Sequence, residues 1–98
     1  MNLMSRQYSD EEIKADIMNR LMRRGCWGGK YIPLESLVNW LSKKVKRIGR
    51  RVRKLIEDLV REGYILLHKG GKTISLNPAL SREIVKYVER IIEGGRSL

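Results

Sequence analysis

Residues 43–63 read KKVKRIGRRVRKLIEDLVREG, and this stretch decides how the rest of the chain is arranged. No acidic residue occurs in it before Glu57. On a helix that turns by about 100° per residue, the apolar side chains form one narrow stripe, which predicts burial: Ile48, Val52, Leu55, Ile56 and Leu59. The opposite face is cationic: Lys46, Arg47, Arg50, Arg53 and Lys54. The pattern predicts a helix over residues 46–62 with one buried face and one basic face.

The positive charge of this helix is concentrated in its N-terminal half. Acids return only at Glu57, Asp58 and Glu62, where they can pair at helical spacing with Arg53, Lys54 or Arg61. A helix that reads the major groove of DNA approaches the bases with its leading turns. The polarity of the stretch is therefore the one that a groove-reading helix requires.

The composition agrees with a single small domain that has a polyanionic partner. The chain has 98 residues, and its hydrophobic content of 42% supports a core and argues against disorder. The formal net charge of +10 is large for a domain of this size. A thermophilic protein's charged surface is the other reading, since 33% of residues are charged and Gln7 is the only glutamine. That habit does not explain the excess of one sign.

Cysteine usage and hydropathy bear on location. Cys26 is the only cysteine, so no internal disulfide can form, which favours a reducing, cytoplasmic environment. No apolar run approaches the roughly 20 residues that span a bilayer, and the N-terminus shows no signal-peptide pattern. We expect residues 1–8 to be a flexible lead-in, residues 9–77 to form the domain, residues 78–94 to form a C-terminal helix, and residues 95–98 to be a flexible tail.

The first helix is predicted to begin at Ser9, which can form a capping box with Glu12. Gly25 is expected to end it. Its buried stripe is expected to be Ile13, Ile17 and Leu21. We predict a short strand at residues 31–32, ended by Pro33, which is well placed to start the next helix. That short helix is predicted from residue 34 to about residue 41, followed by a tight turn over residues 42–45 before the basic helix.

The glycine pair at positions 70–71 separates two strand-like runs, residues 64–68 and 73–76, and predicts a hairpin with a two-residue turn. In that register Leu67 faces Ile74 and Ile65 faces Leu76, so four aliphatic side chains share one face. The other face carries Tyr64, Leu66, His68, Thr73 and Ser75, and we expect this face to be exposed.

The last helix is predicted to use Asn77 as its cap and Pro78 as its first residue. Its apolar residues repeat at helical spacing: Leu80, Ile84, Val88, Ile91 and Ile92. This is more apolar surface than a lid on so small a domain needs. Because a second copy would help a marginally stable small domain, these five residues are the predicted homodimer interface.

The order helix, short strand, helix, turn, helix and hairpin resembles a winged helix-turn-helix domain, an α+β and mostly helical fold, over residues 9–76. The pattern Val52, Ile56, Leu59, Gly63, Ile65 is similar to the end of that family's recognition helix. The turn at residues 25–30 and the segment at residues 75–78 resemble small archaeal members. The resemblance implies that the helix over residues 46–62 lies in the major groove. It also implies that the hairpin tip, residues 69–72, reaches a neighbouring backbone or minor groove.

The predicted DNA-binding residues fall into two groups. Backbone contacts suit lysine's point charge, and base contacts suit arginine, which can bind guanine with two hydrogen bonds. The predicted backbone contacts are Lys43, Lys44, Arg51, Lys69 and Lys72. The predicted base readers are Lys46, Arg47 and Arg50, with Arg53 and Lys54 on the same basic face. The sequence thus predicts a double-stranded DNA-binding protein, a transcriptional regulator or a non-specific architectural protein.

Other functions are less well supported by the sequence. Two glycine-lysine pairs, at residues 29–30 and 71–72, lack the remaining positions of a phosphate-binding loop. His68 is the only histidine, too few ligands for a metal site, and Cys26 has no base nearby in sequence. Trp27 and Trp40 are expected in the core rather than as stacking platforms. We predict no enzyme, cofactor or metal. The alternatives left open are a protein–protein interaction module and a module that binds structured RNA.

Overall fold

The computed structural model of the chain describes residues 8–44 and 48–93, apart from the side chains of Lys44 and Glu93. Within these residues the fold is α+β and mostly helical, with four α-helices and one three-stranded antiparallel sheet. In chain order the elements are α1 (Asp10–Arg23), β1 (Ile32–Pro33), α2 (Leu34–Lys44), α3 (Gly49–Arg61), β2 (Ile65–His68), β3 (Thr73–Leu76) and α4 (Ser81–Val88). This element order is the one that the sequence predicts.

α1 begins with the predicted capping box. The Ser9 hydroxyl accepts from the Glu12 N–H at 3.1 Å, and the Glu12 carboxylate accepts from the Ser9 N–H at 2.9 Å. The helix buries the predicted stripe of Ile13, Ile17 and Leu21. Gly25 follows its last turn with φ 67°, a left-handed conformation that ends helices. The local signals at both ends of α1 are therefore confirmed.

The basic helix is shorter and starts later than predicted. α2 continues to Lys44, so the predicted turn over residues 42–45 is wrong through residue 44, and α3 begins at Gly49 rather than at residue 46. Serine and lysine are polar, but lysine is also a good helix former, so polarity alone misplaced the turn. Residues 45–47 lie outside the described residues. All members of the predicted apolar stripe are buried: Ile48, Val52, Leu55, Ile56 and Leu59.

The sheet has strand order β1-β3-β2 with both pairings antiparallel. β1 lies one position later than predicted, since Pro33 faces Thr73 in the ladder, whereas α2 begins at Leu34, as predicted. A proline is tolerated there because an edge strand need not donate a ladder hydrogen bond. The N–H of Leu34, the first residue of α2, donates to the Lys72 carbonyl at 2.9 Å. The hairpin tip and the start of α2 are thereby joined.

The hairpin has the predicted register: Leu67 faces Ile74, and Ile65 faces Leu76. Burial does not follow this register throughout. Leu67 is 47% exposed, whereas the other three aliphatic side chains of the same face are buried. The opposite face is not fully exposed either, since Ser75 is buried. The Ser75 hydroxyl donates to the Gly28 carbonyl at 2.8 Å, so the loop after α1 covers this part of the sheet.

The hairpin turn is formed by Gly70 and Gly71, whose φ angles are 68° and 89°. Its closing bond runs from the Lys72 N–H to the Lys69 carbonyl at 3.4 Å. Two successive left-handed residues suit the tight turn of a two-residue hairpin, so the predicted turn is confirmed. Lys69 is also left-handed, with φ 51°, and this costs a residue with a side chain roughly 1–2 kcal/mol.

The core is shared by all layers of the molecule. α3 packs against both α1 and α2, α1 also packs against α4, and the sheet packs on α1 and α3. The largest fully buried side chains come from every one of these elements, and they include Ile17, Leu37, Ile56, Ile74 and Ile84. Because one continuous cluster joins them, α4 belongs to the same core as the other helices.

Only the middle part of residues 78–93 is α-helical. A 3₁₀ turn at Pro78–Leu80, capped by the Asn77 side chain, precedes α4, and a π-helical turn at Glu89–Glu93 follows it. Ile84 is 0% exposed and Val88 is 5% exposed. These two residues are therefore unavailable as a dimer contact, and that part of the prediction is wrong because α1 already covers them. Three predicted dimer residues remain half-buried: Leu80, Ile91 and Ile92.

Gly49, the first residue of α3, packs against α2. A Cβ at this position would be 3.4 Å from the Ser42 hydroxyl and 3.7 Å from Val38 Cγ1. We expect Gly49→Ala to be neutral or to stabilise the fold by up to about 1 kcal/mol, because alanine favours the helix and the methyl group just fits. Gly49→Leu should destabilise it by about 1–3 kcal/mol through overpacking. Urea unfolding followed by circular dichroism measures both, and equal midpoints for the two variants would contradict this account.

Candidate nucleic-acid interface

Two exposed cations of α3 form no salt bridge within residues 8–44 and 48–93, although Lys54 is close enough to Asp58 to help lower the pKa of that carboxyl. Arg50 and Lys54 are exposed, and neither forms an ion pair with a residue in the described ranges. They lie in the first half of the helix, before Glu57. The predicted concentration of free positive charge at the start of α3 therefore holds for these two residues.

The first turn of α3 lacks the two features that usually stabilise the start of a helix, a capping side chain and an acidic residue. Its N-cap is Ile48, whose side chain cannot accept a hydrogen bond, and its first turn has no acid. Arg50 and Arg51 stand there instead, where the positive end of the helix dipole disfavours cations by about 0.3–1 kcal/mol each. A partner that brings negative charge to this end of α3 would relieve both defects.

Arg51, a predicted backbone contact, is exposed, but its guanidinium is already bound within the domain. Its Nε and Nη2 atoms donate to Asp10 Oδ1 at 2.9 and 2.6 Å, and Nη2 also donates to the Tyr8 carbonyl at 2.8 Å. These bonds tie the start of α1 to the start of α3. They also show that Tyr8, predicted to be part of a flexible lead-in, is held against the domain and packs on its core.

Arg53 is neutralised by a residue of α2. Its guanidinium donates two hydrogen bonds to the Glu35 carboxylate, one of 2.7 Å between Nη2 and Oε1 and a second between Nη1 and Oε2. The hydrogen bonds from Arg53 lower the pKa of the Glu35 carboxyl and raise that of the guanidinium. Because the Glu35 pKa is lowered on folding, the pair stabilises the fold above the usual carboxylate range, and this is lost as the pH falls through the lowered value.

Glu35 and Arg53 are both largely exposed, so solvent screens the pair and its contribution to stability is small. Its larger effect is on charge, since it removes one cation from the basic face. The two salt bridges of Arg51 and Arg53 thus correct the prediction that the whole basic face is free. Which acid pairs with which arginine on another helix depends on how the two helices cross. The spacing of residues within one helix does not contain that information.

The hairpin tip carries two free cations. Lys69 and Lys72 are exposed, as the sequence predicts, and neither forms an ion pair with a described residue. Lys43, at the end of α2, is exposed in the same way. The side chains of three other predicted DNA-binding residues lie outside the described part of the structure: Lys44, Lys46 and Arg47. Five of the predicted residues are therefore exposed and form no salt bridge with the described part of the chain: Lys43, Arg50, Lys54, Lys69 and Lys72.

An open groove of about 810 Å³ separates α3 from the hairpin. Arg53 and Arg61 of α3 and Lys72 of the hairpin line it, together with apolar side chains such as Val60 and the half-exposed Leu67. The Arg61 guanidinium is bound to Asp58 within α3, and this hydrogen bond lowers the pKa of the Asp58 carboxyl. The groove therefore brings the helix and the hairpin tip to one surface of mixed character.

His68 is half-buried, whereas the sequence placed it on an exposed face. Its Nε2 atom lies 2.8 Å from the Ser75 hydroxyl, whose own proton goes to the Gly28 carbonyl. Ser75 must then accept from His68, so Nε2 carries a proton. The imidazole also stacks on Tyr31, with 4.6 Å between ring centroids and 24° between planes. This histidine holds local structure together.

The two tryptophans pack against the core, as predicted. The Trp40 ring is covered by the Arg24 guanidinium, 3.9 Å from the ring centroid. Trp27 pairs with Leu76 as an isolated bridge at the edge of the sheet. Neither ring offers an open face comparable with that of Tyr31, which is 36% exposed and which the sequence reading did not single out.

Residues 8–44 and 48–93 also show no metal cluster and no membrane-spanning helix. No group of three or more His, Cys, Asp or Glu side chains comes together as a cluster able to hold a metal ion. No helix among them combines the length and apolar character needed to cross a bilayer. Comparison with known proteins gives no further guide, since no protein-family model, curated protein or solved structure matches the chain.

Cys26 gives a test of how well the core is closed. The thiol is buried, its Sγ lies 3.9 Å from the Arg24 carbonyl, and burial raises its pKa. Because the thiolate is the reactive form, the folded chain should react with Ellman's reagent at pH 8 far more slowly than the chain in urea. Rapid, stoichiometric reaction of the folded chain would show that this part of the core is open.

Proposed function

We propose that this chain is a winged helix-turn-helix domain that binds double-stranded DNA. In this proposal α3 enters the major groove and the hairpin tip contacts the adjacent backbone. The single observation that carries the proposal is the row of exposed cations left unneutralised on α3 and the hairpin, although acids on α1 and α2 neutralise their neighbours. A folded domain that needed only a balanced surface would have no use for this excess.

The arrangement of the elements supports the same proposal. Only residues 45–48 separate α2 from α3, which is the length of connection found in helix-turn-helix motifs. The close approach at Gly49 lets the two helices pack near the turn. The hairpin then follows α3 directly, and β1 joins it to make a three-stranded sheet. These features are compatible with a winged helix.

Regulation of transcription is the use we propose for such a domain, and an architectural role without sequence preference is the nearest alternative. A homodimer would present two copies of α3 to successive grooves. With Ile84 and Val88 in the core, a dimer would have to use other surface, and light scattering of the purified chain gives its oligomeric state.

A second candidate function follows from the groove beside α3. Leu67 is 47% exposed there, and a mixed, partly apolar groove is what a protein-interaction module presents. Failure of the chain to bind any duplex at low salt would favour this function. Binding of duplex RNA in preference to duplex DNA would instead favour the structured-RNA alternative.

Salt dependence tests the DNA-binding proposal directly. If about five phosphates are neutralised per protomer, the log–log slope of affinity against salt should be roughly −4 to −5. Fluorescence anisotropy of a labelled duplex measures this slope. Arg50→Gln should weaken binding and reduce the slope by about 1. Lys86→Gln is the matched control, because Lys86 is an exposed cation on α4, away from α3 and the hairpin. A flat salt dependence, or equal losses from both variants, would contradict the proposal.

Disruption of the Glu35–Arg53 pair gives a second test of the proposal, because it is expected to make DNA binding tighter. Glu35→Gln removes the carboxylate that holds Arg53, and the released guanidinium can neutralise one more phosphate. We expect higher affinity and a salt slope steeper by about 0.9. Glu57→Gln is the matched control: Glu57 lines the same groove and is exposed, but it holds no arginine. If both variants raise affinity equally without changing the slope, Arg53 does not reach the DNA.

A further inference from the structure

Tyr31 is an exposed aromatic side chain beside the hairpin tip. It is one of two large hydrophobic side chains that are exposed in the described part of the chain, the other being Leu67. The His68 imidazole stacks on the Tyr31 ring, with 4.6 Å between the two ring centroids, and this contact holds the ring in place. An exposed ring with an aromatic brace is unlike a solvated surface tyrosine, which has nothing to fix its plane.

The brace itself is held by a chain of hydrogen bonds. His68 donates to Ser75, and Ser75 donates to the carbonyl of Gly28, each over 2.8 Å. The Gly28 N–H in turn donates to the Leu76 carbonyl at 2.9 Å. Gly28 has φ 58°, and a Cβ there would lie 3.2 Å from Pro78. The loop that carries Tyr31 is thus pinned to β3, and a preorganised ring loses little conformational entropy when a ligand stacks on it.

The charge around the ring is positive. Lys69 Nζ lies 5.4 Å from the Tyr31 ring centroid. Lys30 is the residue before Tyr31 and Lys72 belongs to the hairpin tip, and both are exposed. No Asp or Glu occurs in residues 17–34 or 63–82, the segments that contain the loop and the hairpin. The acid nearest in sequence, Glu35, is already bound to Arg53. An aromatic ring with a lysine ammonium over it, in segments that contain no acid, suits a ligand that has both a flat π system and negative charge.

We propose that Tyr31 is a stacking platform for an unpaired base of a DNA strand, and that Lys69 and its neighbours hold the phosphates of that nucleotide. This site rests on the proposed function, since the duplex part of the same DNA would be held by α3. Every base has a π face, so the platform accepts any base. The long Lys69 side chain exchanges its contact with the ring for a contact with phosphate when the base arrives. The chain would then prefer duplexes that end in a single-stranded extension.

The test compares a blunt duplex with the same duplex carrying a short single-stranded extension, with 2-aminopurine at the first unpaired position. The full-length chain should bind the extended duplex more tightly, by roughly five- to hundredfold, which is the range for one stacked base. The 2-aminopurine fluorescence should fall on binding as the base stacks. Tyr31→Phe should keep the preference, and Tyr31→Leu should abolish it while leaving the affinity for the blunt duplex unchanged.

Leu67→Ala is the matched control, since it removes an exposed apolar side chain from the same hairpin without removing a π face. It should leave the preference intact, and circular dichroism confirms that each variant is folded. Equal affinity of the unmodified chain for both duplexes would overturn the platform and leave Tyr31 to a protein partner. Retention of the preference by Tyr31→Leu would also overturn it. No binding to either duplex would overturn the proposed function itself, so the two failures are distinguishable.

Discussion

Burial of one apolar stripe on α3 fixes the rest of the molecule. Val52, Leu55, Ile56 and Leu59 are at most 3% exposed, because α1, α2 and the sheet all pack on this side of the helix. Once these side chains are inside, the rotation of α3 about its axis is determined. Arg50 and Lys54 are then forced outward. The positive surface is thus a consequence of hydrophobic packing, and the charges themselves do not choose where they point.

Acidic residues of the domain itself neutralise part of this positive surface. Asp10 and Glu35 come from the first turns of α1 and α2, where the helix dipole favours carboxylates. Each then reaches an arginine on α3, so one side chain stabilises its own helix end and also removes a cation from the basic face. The result is a basic face divided into arginines held by the fold and cations open to a partner. A weaker non-specific attraction to polyanions follows from that division.

Signals that act within a few residues were readable from the sequence. The capping box at Ser9, the left-handed turn at Gly70 and Gly71, and the register that places Leu67 opposite Ile74 depend on local spacing, and the structure has all three. The stripe on α3 was readable for the same reason. The exposure of Leu67 could not be read from the sequence. Strand register determines on which face of the sheet a side chain lies, but it does not determine how much of that face the helices cover.

Features that depend on tertiary contacts were missed or misplaced. The stacking of His68 on Tyr31 joins residues far apart in the chain through a loop whose path no periodic pattern describes. The ion pair between Glu35 and Arg53 requires the crossing of α2 and α3. The dimer prediction failed at Ile84 and Val88 because an apolar stripe shows that a helix is covered, without showing whether its own chain or a second copy covers it.

The contact between Arg51 and the Tyr8 carbonyl has a practical consequence for how the protein is handled. It brings the point where the N-terminal segment enters the domain to the first turn of α3. An affinity tag or fluorescent protein added on the N-terminal side of Tyr8 is therefore tethered to this point of the domain, next to the leading end of the helix. Attachment at the other terminus, which continues from α4 and its π-helical turn, keeps the added mass on a different helix.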